Sequence, residues 1–294
     1  MTTPALIALH EAWPEARIDV VADQRSSSLL THCPFVGEIF IRDKTAGLAG
    51  IWQLVRHLRD RTYLAAIDLR TDFLPWLLRA ERRSMRWLVR HEPPPTHAVE
   101  RHLQVVKRVV PGLSAPPAPK VWWPASVGTW AQARKATLPG RVLALAPGAN
   151  WAGKCWPLEC YIELAGLLAP HFDGLLLFGS AVEREAAQAI ADQVDLPTLN
   201  LAGSTDLVEV AALLPLCAAF VGNDSGIGHL AAAAAIPTLT VFGPGEPARY
   251  RPWGPRAAII CAPGAELSAL PAQSVADALH EHLRALSVEA QVQE

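Results

Sequence analysis

The segment Phe220-Val-Gly-Asn-Asp-Ser-Gly-Ile-Gly-His-Leu, which continues through five alanines to Ile236, gathers small, polar and titratable residues where they can hold an anion. An apolar strand leads into a short loop, and the loop opens directly onto an alanine-rich helix. Alanine is the strongest helix former, so the helix start is well defined. The first-turn N–H groups have no partner within the helix and sit at the positive end of its dipole, which makes a ready anion site. Gly226 and Gly228 let the backbone come close to a phosphate, Ser225 can donate a hydroxyl bond, and His229 lies in the same turn. The same residues also suit a plain helix cap, with Asp224 or Ser225 as the capping side chain.

A second segment, Ala146-Pro-Gly-Ala-Asn-Trp-Ala-Gly-Lys-Cys-Trp-Pro-Leu-Glu, carries one cation, Lys154, at the carboxyl end of a strand. Pro157 fits a first helical position, with Glu159 behind it to favour the helix dipole. A lone loop lysine also fits a merely solvated charge, and Trp151 and Trp156 read as packing residues. A third segment, residues 242–255, is a rigid Gly/Pro loop bearing Arg249 and Arg251. The stretch from Gly226 to Ala231 also matches G-x-G-x-x-A, a dinucleotide-binding pattern. Against a nicotinamide oxidoreductase, the pattern follows the fourth strand of its half rather than the first, and no strand-end acid stands about 20 residues on.

The elements that must position these groups alternate. In the first half, residues 4–13 have helical spacing, 16–22 read as a strand, 39–41 as a strand, 46–61 as a helix and 63–69 as a strand. Residues 74–90 read as a basic, apolar helical stretch. Two proline clusters follow, at 91–95 and 111–119, and these are stiff connectors. In the second half, strands at 141–146, 174–178, 198–201, 217–221 and 238–242 alternate with helices at 158–169, 181–194, 207–214 and 228–235. A last helix covers 274–286. This is the pattern of an α/β protein with parallel sheets. The boundary between the halves falls in the second proline cluster, giving units 1–118 and 119–294. Doubly wound units of this kind take their ligands at the carboxyl ends of the strands.

Composition narrows the function. The 294 residues leave room for two domains of about 150 residues each. Hydrophobic residues make up 51% and charged residues 18%, which excludes intrinsic disorder. The net charge of −2 provides no field to recruit nucleic acid. Mean hydropathy is +0.18, yet the longest apolar stretches are interrupted at Glu209, Pro215 and Pro237 and fall short of a span. The start has no basic segment of the kind a secretory signal carries. The 5 cysteines form no C-x-x-C pair, which fits reduced thiols in the cytoplasm and argues against zinc.

Together the three segments resemble glycosyltransferase family 9, the ADP-heptose:lipopolysaccharide heptosyltransferases. The family pattern P-G-A-x-W-x-x-K-x-W-P-x-E matches residues 147–159, and D-[ST]-G-x-x-H-L-A-A-A matches 224–233. F-G-P-T-x-P matches 242–247 with Gly245 in place of Thr, and Trp253 stands for the W-x-P. Looser matches are Thr3-Pro-Ala-Leu, residues 13–18, Ala66-Ile-Asp-Leu and residues 97–101. The resemblance implies a GT-B fold, two facing Rossmann-like doubly wound domains, with the nucleotide-sugar held by the C-terminal one. It implies that Lys154 neutralises the donor diphosphate and that Asp224, Ser225, Gly226, Gly228 and His229 hold the diphosphate and sugar. Glu183 would reach the ribose. The donor implied is ADP-L-glycero-D-manno-heptose and the acceptor the lipopolysaccharide inner core, with inversion and with no metal or cofactor.

Members of the family begin with a strand and a glycine-rich loop ending in Gly-Asp, the candidate base, just before the T-x-P-A-L helix. This sequence starts at Met1-Thr-Thr-Pro, inside that motif. Either the start is assigned too far downstream or part of the acceptor site is lost, which would leave a nucleotide-sugar-binding protein without catalysis. Asp68, ending a first-half strand, reads first as a strand-end cap and is the fallback carboxylate. Arg79, Arg82, Arg83, Arg86 and Arg90 form a basic run against Glu81. It suits a solvated helix face, or a docking face for anionic headgroups at the inner membrane.

Overall fold

The computed structural model describes residues 1–43, 45–70, 73–89, 97–113 and 115–292. The chain divides into two compact units, Met1–Trp122 and Trp123–Glu294.

In the first unit the order is α1 (Thr3–Ala12), β1 (Ile18–Ala22), α2 (Gln24–Ser27), β2 (Val36–Ile41), α3 (Gly47–Leu58), β3 (Tyr63–Asp68), β4 (Ala80–Met85), α4 (Arg86–Val89) and α5 (Ala98–Lys107). Its strands form two separate parallel pairs, β1 with β2 and β3 with β4. One helical layer serves both pairs. Ala5 and Leu9 of α1 and Val106 of α5 form a core against which Ile18 of β1 and Ile67 of β3 both pack. The pairs are also tied at their amino ends, where Asp19 receives bonds from Arg61 (2.5 Å) and Tyr63 Oη (3.2 Å). Every residue of β1 is only half-buried, and among the described residues of the first unit no strand is buried throughout, as the central strand of a parallel sheet ordinarily is.

Residues 74–89 do not form the helix expected over 74–90. A 3-10 turn, Leu74–Leu77, leads into β4 and then the short α4. The edge of β3 offers ladder bonds that a solvated helix would leave unmade, and the register runs from Tyr63 opposite Ala80 to Asp68 opposite Met85. The arginines divide accordingly. Arg83 donates to the Pro75 and Leu78 carbonyls (both 2.9 Å), and Arg82 to that of Val109 (3.2 Å). Arg79 and Arg86 are exposed. Arg90 lies outside the described residues.

The second unit runs α6 (Ala125–Lys135), β5 (Val142–Ala146), α7 (Leu158–Leu168), β6 (Gly174–Leu177), α8 (Arg184–Ala191), β7 (Thr198–Asn200), α9 (Leu207–Leu213), β8 (Ala219–Asn223), α10 (Gly226–Ala233), β9 (Thr238–Phe242), α11 (Pro247–Tyr250), β10 (Ala257–Cys261) and α12 (Ala272–Val292). Its six-stranded parallel sheet has the order β10-β9-β8-β5-β6-β7. Strands β5, β6, β8 and β9 are buried throughout. Both sheet faces are therefore covered, as near-continuous apolar strands require. Leu143, Leu145, Leu175, Leu177, Val221 and Val241 alternate onto one face, beneath α7 and α12. From β5 the chain winds one way to β6 and β7, then returns to place β8 on the other side. The strand order thus reverses between β5 and β8, and crevices of this kind bind ligands at the strands' carboxyl ends.

Among the described residues no helix is long and apolar enough to cross a membrane.

Candidate functional site

Three loops leave the carboxyl ends of β5, β8 and β9 at this crevice. The β8 loop is the shortest: Asp224 and Ser225 alone separate the strand from α10. Ser225 occupies the N-cap position with extended backbone (φ −144°, ψ 172°), yet its side chain makes no capping bond. Its Oγ is buried and finds no hydrogen-bond partner among the described residues. A cap would have used this hydroxyl on the α10 N–H groups. Ser225, one of the two capping side chains expected here, is thus not used as a cap. Gly226 is exposed, and nothing stands within 4 Å of the place a side chain would occupy, so open space lies directly before the helix. Gly228 is buried against β9, where an added carbon would come 3.3 Å from Thr240 Oγ1. His229 is half-buried in the same turn.

The β5 loop brings the cation. A 3-10 turn over Ala152–Lys154 carries Lys154 across to Asp224, with Nζ 2.5 Å from Oδ2. The lysine side chain is 32% exposed and that of Asp224 only 10%, so the cation is the solvent-accessible partner of the pair. The β9 loop closes in from the other side: a side chain at Gly245 would approach Asp224 Oδ2 to 3.1 Å and the Phe242 ring to 3.2 Å. Glu183 arrives from the β6 side. Its Oε2 accepts from the Ser180 N–H (2.5 Å), completing a capping box at the start of the turn that leads into α8. The rest of its carboxylate presses on Gly148, where any side chain would overlap it.

Crevice positions expected from sequence are therefore brought together in one unit: Lys154, Asp224, Ser225, Gly226, Gly228 and His229, with Glu183 beside Gly148. Asp68 belongs to the other unit. It is 8% exposed, and its Oδ1 accepts from the Arg70 N–H (2.8 Å), a tight turn at the end of β3. Of the two tryptophans, Trp156 packs as expected, 2% exposed with Nε1 donating to the Leu270 carbonyl (3.0 Å). Trp151 does not: it is 58% exposed, with its ring over Gly153.

One residue was missed. Asn223 is fully buried at the end of β8, one position before Asp224, and belongs to the strand rather than to the loop. The expected strand at 217–221 forms two residues later, at 219–223. The available signal was a polar side chain ending an otherwise apolar run.

The groups gathered here suit a phosphorylated leaving group: a cation, an uncapped helix N-terminus, a free hydroxyl donor and open space before them. The family model of glycosyltransferase family 9 (heptosyltransferase) matches residues 51–280. The chain belongs to glycosyltransferase family 9. It is 28% identical to lipooligosaccharide heptosyltransferase 2 of Haemophilus influenzae over 84% of this chain and 80% of that protein. Identity to lipopolysaccharide heptosyltransferase 2 of Escherichia coli K12 is also 28%, over 86% and 81% of the two chains. Among solved structures, an E. coli heptosyltransferase with ADP aligns with a TM-score of 0.75 at 25% identity, covering 96% of this chain and 95% of that one. A family 9 glycosyltransferase from Veillonella parvula aligns with a TM-score of 0.82 at 20% identity, over 96% and 92%. As a family 9 member the chain is a glycosyltransferase, and its α/β fold is of the GT-B type. This membership replaces the nicotinamide reading of the glycine pattern in α10.

Proposed function

We propose that this glycosyltransferase transfers heptose from ADP-L-glycero-D-manno-heptose to the lipopolysaccharide inner core, with inversion and without a metal, from the cytoplasmic side of the inner membrane. The observation that carries the reading is the α10 N-terminus without a side-chain cap and its unused Ser225 hydroxyl, directly after Asp224, which holds the Lys154 ammonium. In an inverting transfer the acceptor hydroxyl attacks the anomeric carbon as the bond to the diphosphate breaks, through an oxocarbenium-like transition state. Negative charge then grows on the leaving phosphate. Lys154 and the α10 N–H groups stabilise it there, where a fixed cation and dipole act most strongly. Ser225 adds a hydrogen bond. Asp224 holds Lys154 in place, with His229 in the same turn near the sugar. Glu183, half engaged in its capping box, offers its other oxygen to the ribose.

A general base must take the acceptor proton. Asp68 is the fallback for that role, and its bond to Arg70 N–H supports a second reading, a protein that binds the donor without transferring it. Arg79 and Arg86, with the 60% exposed Trp76 and 49% exposed Trp87 of the same stretch, support peripheral contact with anionic headgroups.

The test is incubation with ADP-heptose and a lipopolysaccharide core lacking heptose, with ADP release and the anomeric configuration of the product measured with and without a chelator. Acceptor-dependent ADP release with inverted, chelator-insensitive product supports transfer. Donor binding without acceptor-dependent release supports the second reading, and no binding of ADP-heptose overturns both.

A further inference from the structure

Asn223 spans the point where the sheet reverses. Its Nδ2 donates to the Pro147 carbonyl at the carboxyl end of β5 (2.6 Å). Its Oδ1 accepts from the Trp156 N–H (3.1 Å) and from Tyr161 Oη on α7 (3.0 Å). Pro147 and Trp156 are the two ends of the loop that carries Lys154, so a single buried amide fastens both ends of that loop to β8. The next residue along β8 is Asp224, the partner of the Lys154 ammonium. The amide's orientation is fixed by its partners, because exchanging O and N would set an NH2 group against the Trp156 N–H and an oxygen against the Pro147 carbonyl. Burial is complete: Asn223 and Tyr161 are both 0% exposed, and Trp156 is 2% exposed. Burial also drives the Tyr161 hydroxyl pKa well above its ordinary value, so it stays a neutral donor.

We propose that Asn223 is the positioning residue of the lysine loop, holding Lys154 at the distance from the α10 N-terminus that a donor diphosphate requires. A polar residue at the end of a fully buried strand is costly unless it is satisfied. This one is satisfied entirely by the β5 loop and the helix that follows it. Catalytic and binding cations are effective only when a supporting layer of hydrogen bonds fixes them. The proposal rests on the reading of Lys154 as a diphosphate ligand.

The test is a double-mutant cycle on ADP binding, measured by calorimetry on the full chain: wild type, Lys154→Ala, Asn223→Ala and the pair. If Asn223 positions Lys154, the lysine substitution weakens ADP binding about tenfold or more in the wild type and less than about threefold beside Asn223→Ala. Equal factors in both backgrounds overturn the positioning role, since a merely structural asparagine lowers the melting temperature without changing what Lys154 contributes. Should Asn223→Ala not fold, Tyr161→Phe replaces it in the same cycle, because it keeps the ring and deletes one of the two donors to Oδ1. It then predicts a smaller coupling of the same sign, and strict additivity overturns the proposal. A Lys154→Ala variant that binds ADP as well as the wild type overturns the diphosphate reading itself, a result distinguishable from additivity.

Discussion

Ser225 carries a buried hydroxyl that no described protein group uses, at the one place where a helix start would ordinarily use it. Removing it therefore takes nothing from the folded chain. Ser225→Ala should leave the free energy of unfolding within about 0.5 kcal/mol of wild type. ADP affinity should fall by roughly an order of magnitude, the worth of one hydrogen bond to a charged group. Denaturant titration and calorimetry measure the two, and a large loss of stability with unchanged affinity would make Ser225 an ordinary structural residue. Gly148 predicts the opposite balance. A methyl group there must displace the Glu183 carboxylate, so Gly148→Ala should break the capping bond to Ser180 and cost about 1–3 kcal/mol of stability. Thermal unfolding of Gly148→Ala beside Glu183→Ala checks this, since shortening Glu183 as well should recover part of the loss.

At the scale of elements, the cluster tying β1 to β3 predicts how the first unit responds to pH. Burial alone would raise the Asp19 carboxyl, but the Glu38 N–H and the Arg61 guanidinium outweigh it and hold the pKa below its usual value. A depressed carboxyl contributes stability above its unfolded value of about 3.9, and the contribution is lost as pH falls through the lower folded value. Burial and the Asp19 charge push the Tyr63 hydroxyl up to about 12. Its neutral form is favoured in the fold, so its contribution holds below the unfolded value of about 10 and is lost as pH rises toward 12. The Asp19→Asn variant should melt below wild type at pH 7, with the difference closing below about pH 3. A difference that persists unchanged in acid would show that Asp19 acts through shape and not charge.

The same scale explains which elements could be read from the sequence. In the second unit the runs of Val142–Ala146 and Thr238–Phe242 are apolar, bounded by Gly and Pro, and fully buried, so pattern and structure coincide. Strand β4, Ala-Glu-Arg-Arg-Ser-Met, has neither β-branched residues nor alternation, and it is a strand because β3 pairs with it. Helix α6 and strand β10 carry no clear sequence pattern for a related reason. The one is a polar, weakly patterned helix, and the other a short half-exposed edge behind a proline-rich loop. Site residues were legible where chemistry and backbone coincide, as in the Gly-rich turn into α10. Asn223 was not, because its importance lies in partners that are 62 to 76 positions away along the chain.

For the whole molecule, the two units differ in how completely their sheets are built. The second has one continuous six-stranded sheet whose reversal point collects Lys154, Asp224 and the start of α10. The first has two parallel pairs held by shared helices and by the Asp19 cluster. Isolated two-stranded sheets are marginal, so the first unit should open at lower cost than the second. Amide hydrogen exchange should find β1 and β2 less protected than β5 and β8, and equal protection would contradict this ranking. The central claim concerns the second unit, that the corner of β8 and α10 with Lys154 receives the donor diphosphate. A crystal structure of the chain with ADP tests it most directly. The account predicts diphosphate oxygens at about 3 Å from Lys154 Nζ, from Ser225 Oγ and from N–H groups of the first turn of α10. A diphosphate bound away from that turn, with Ser225 Oγ still unpartnered, would contradict it.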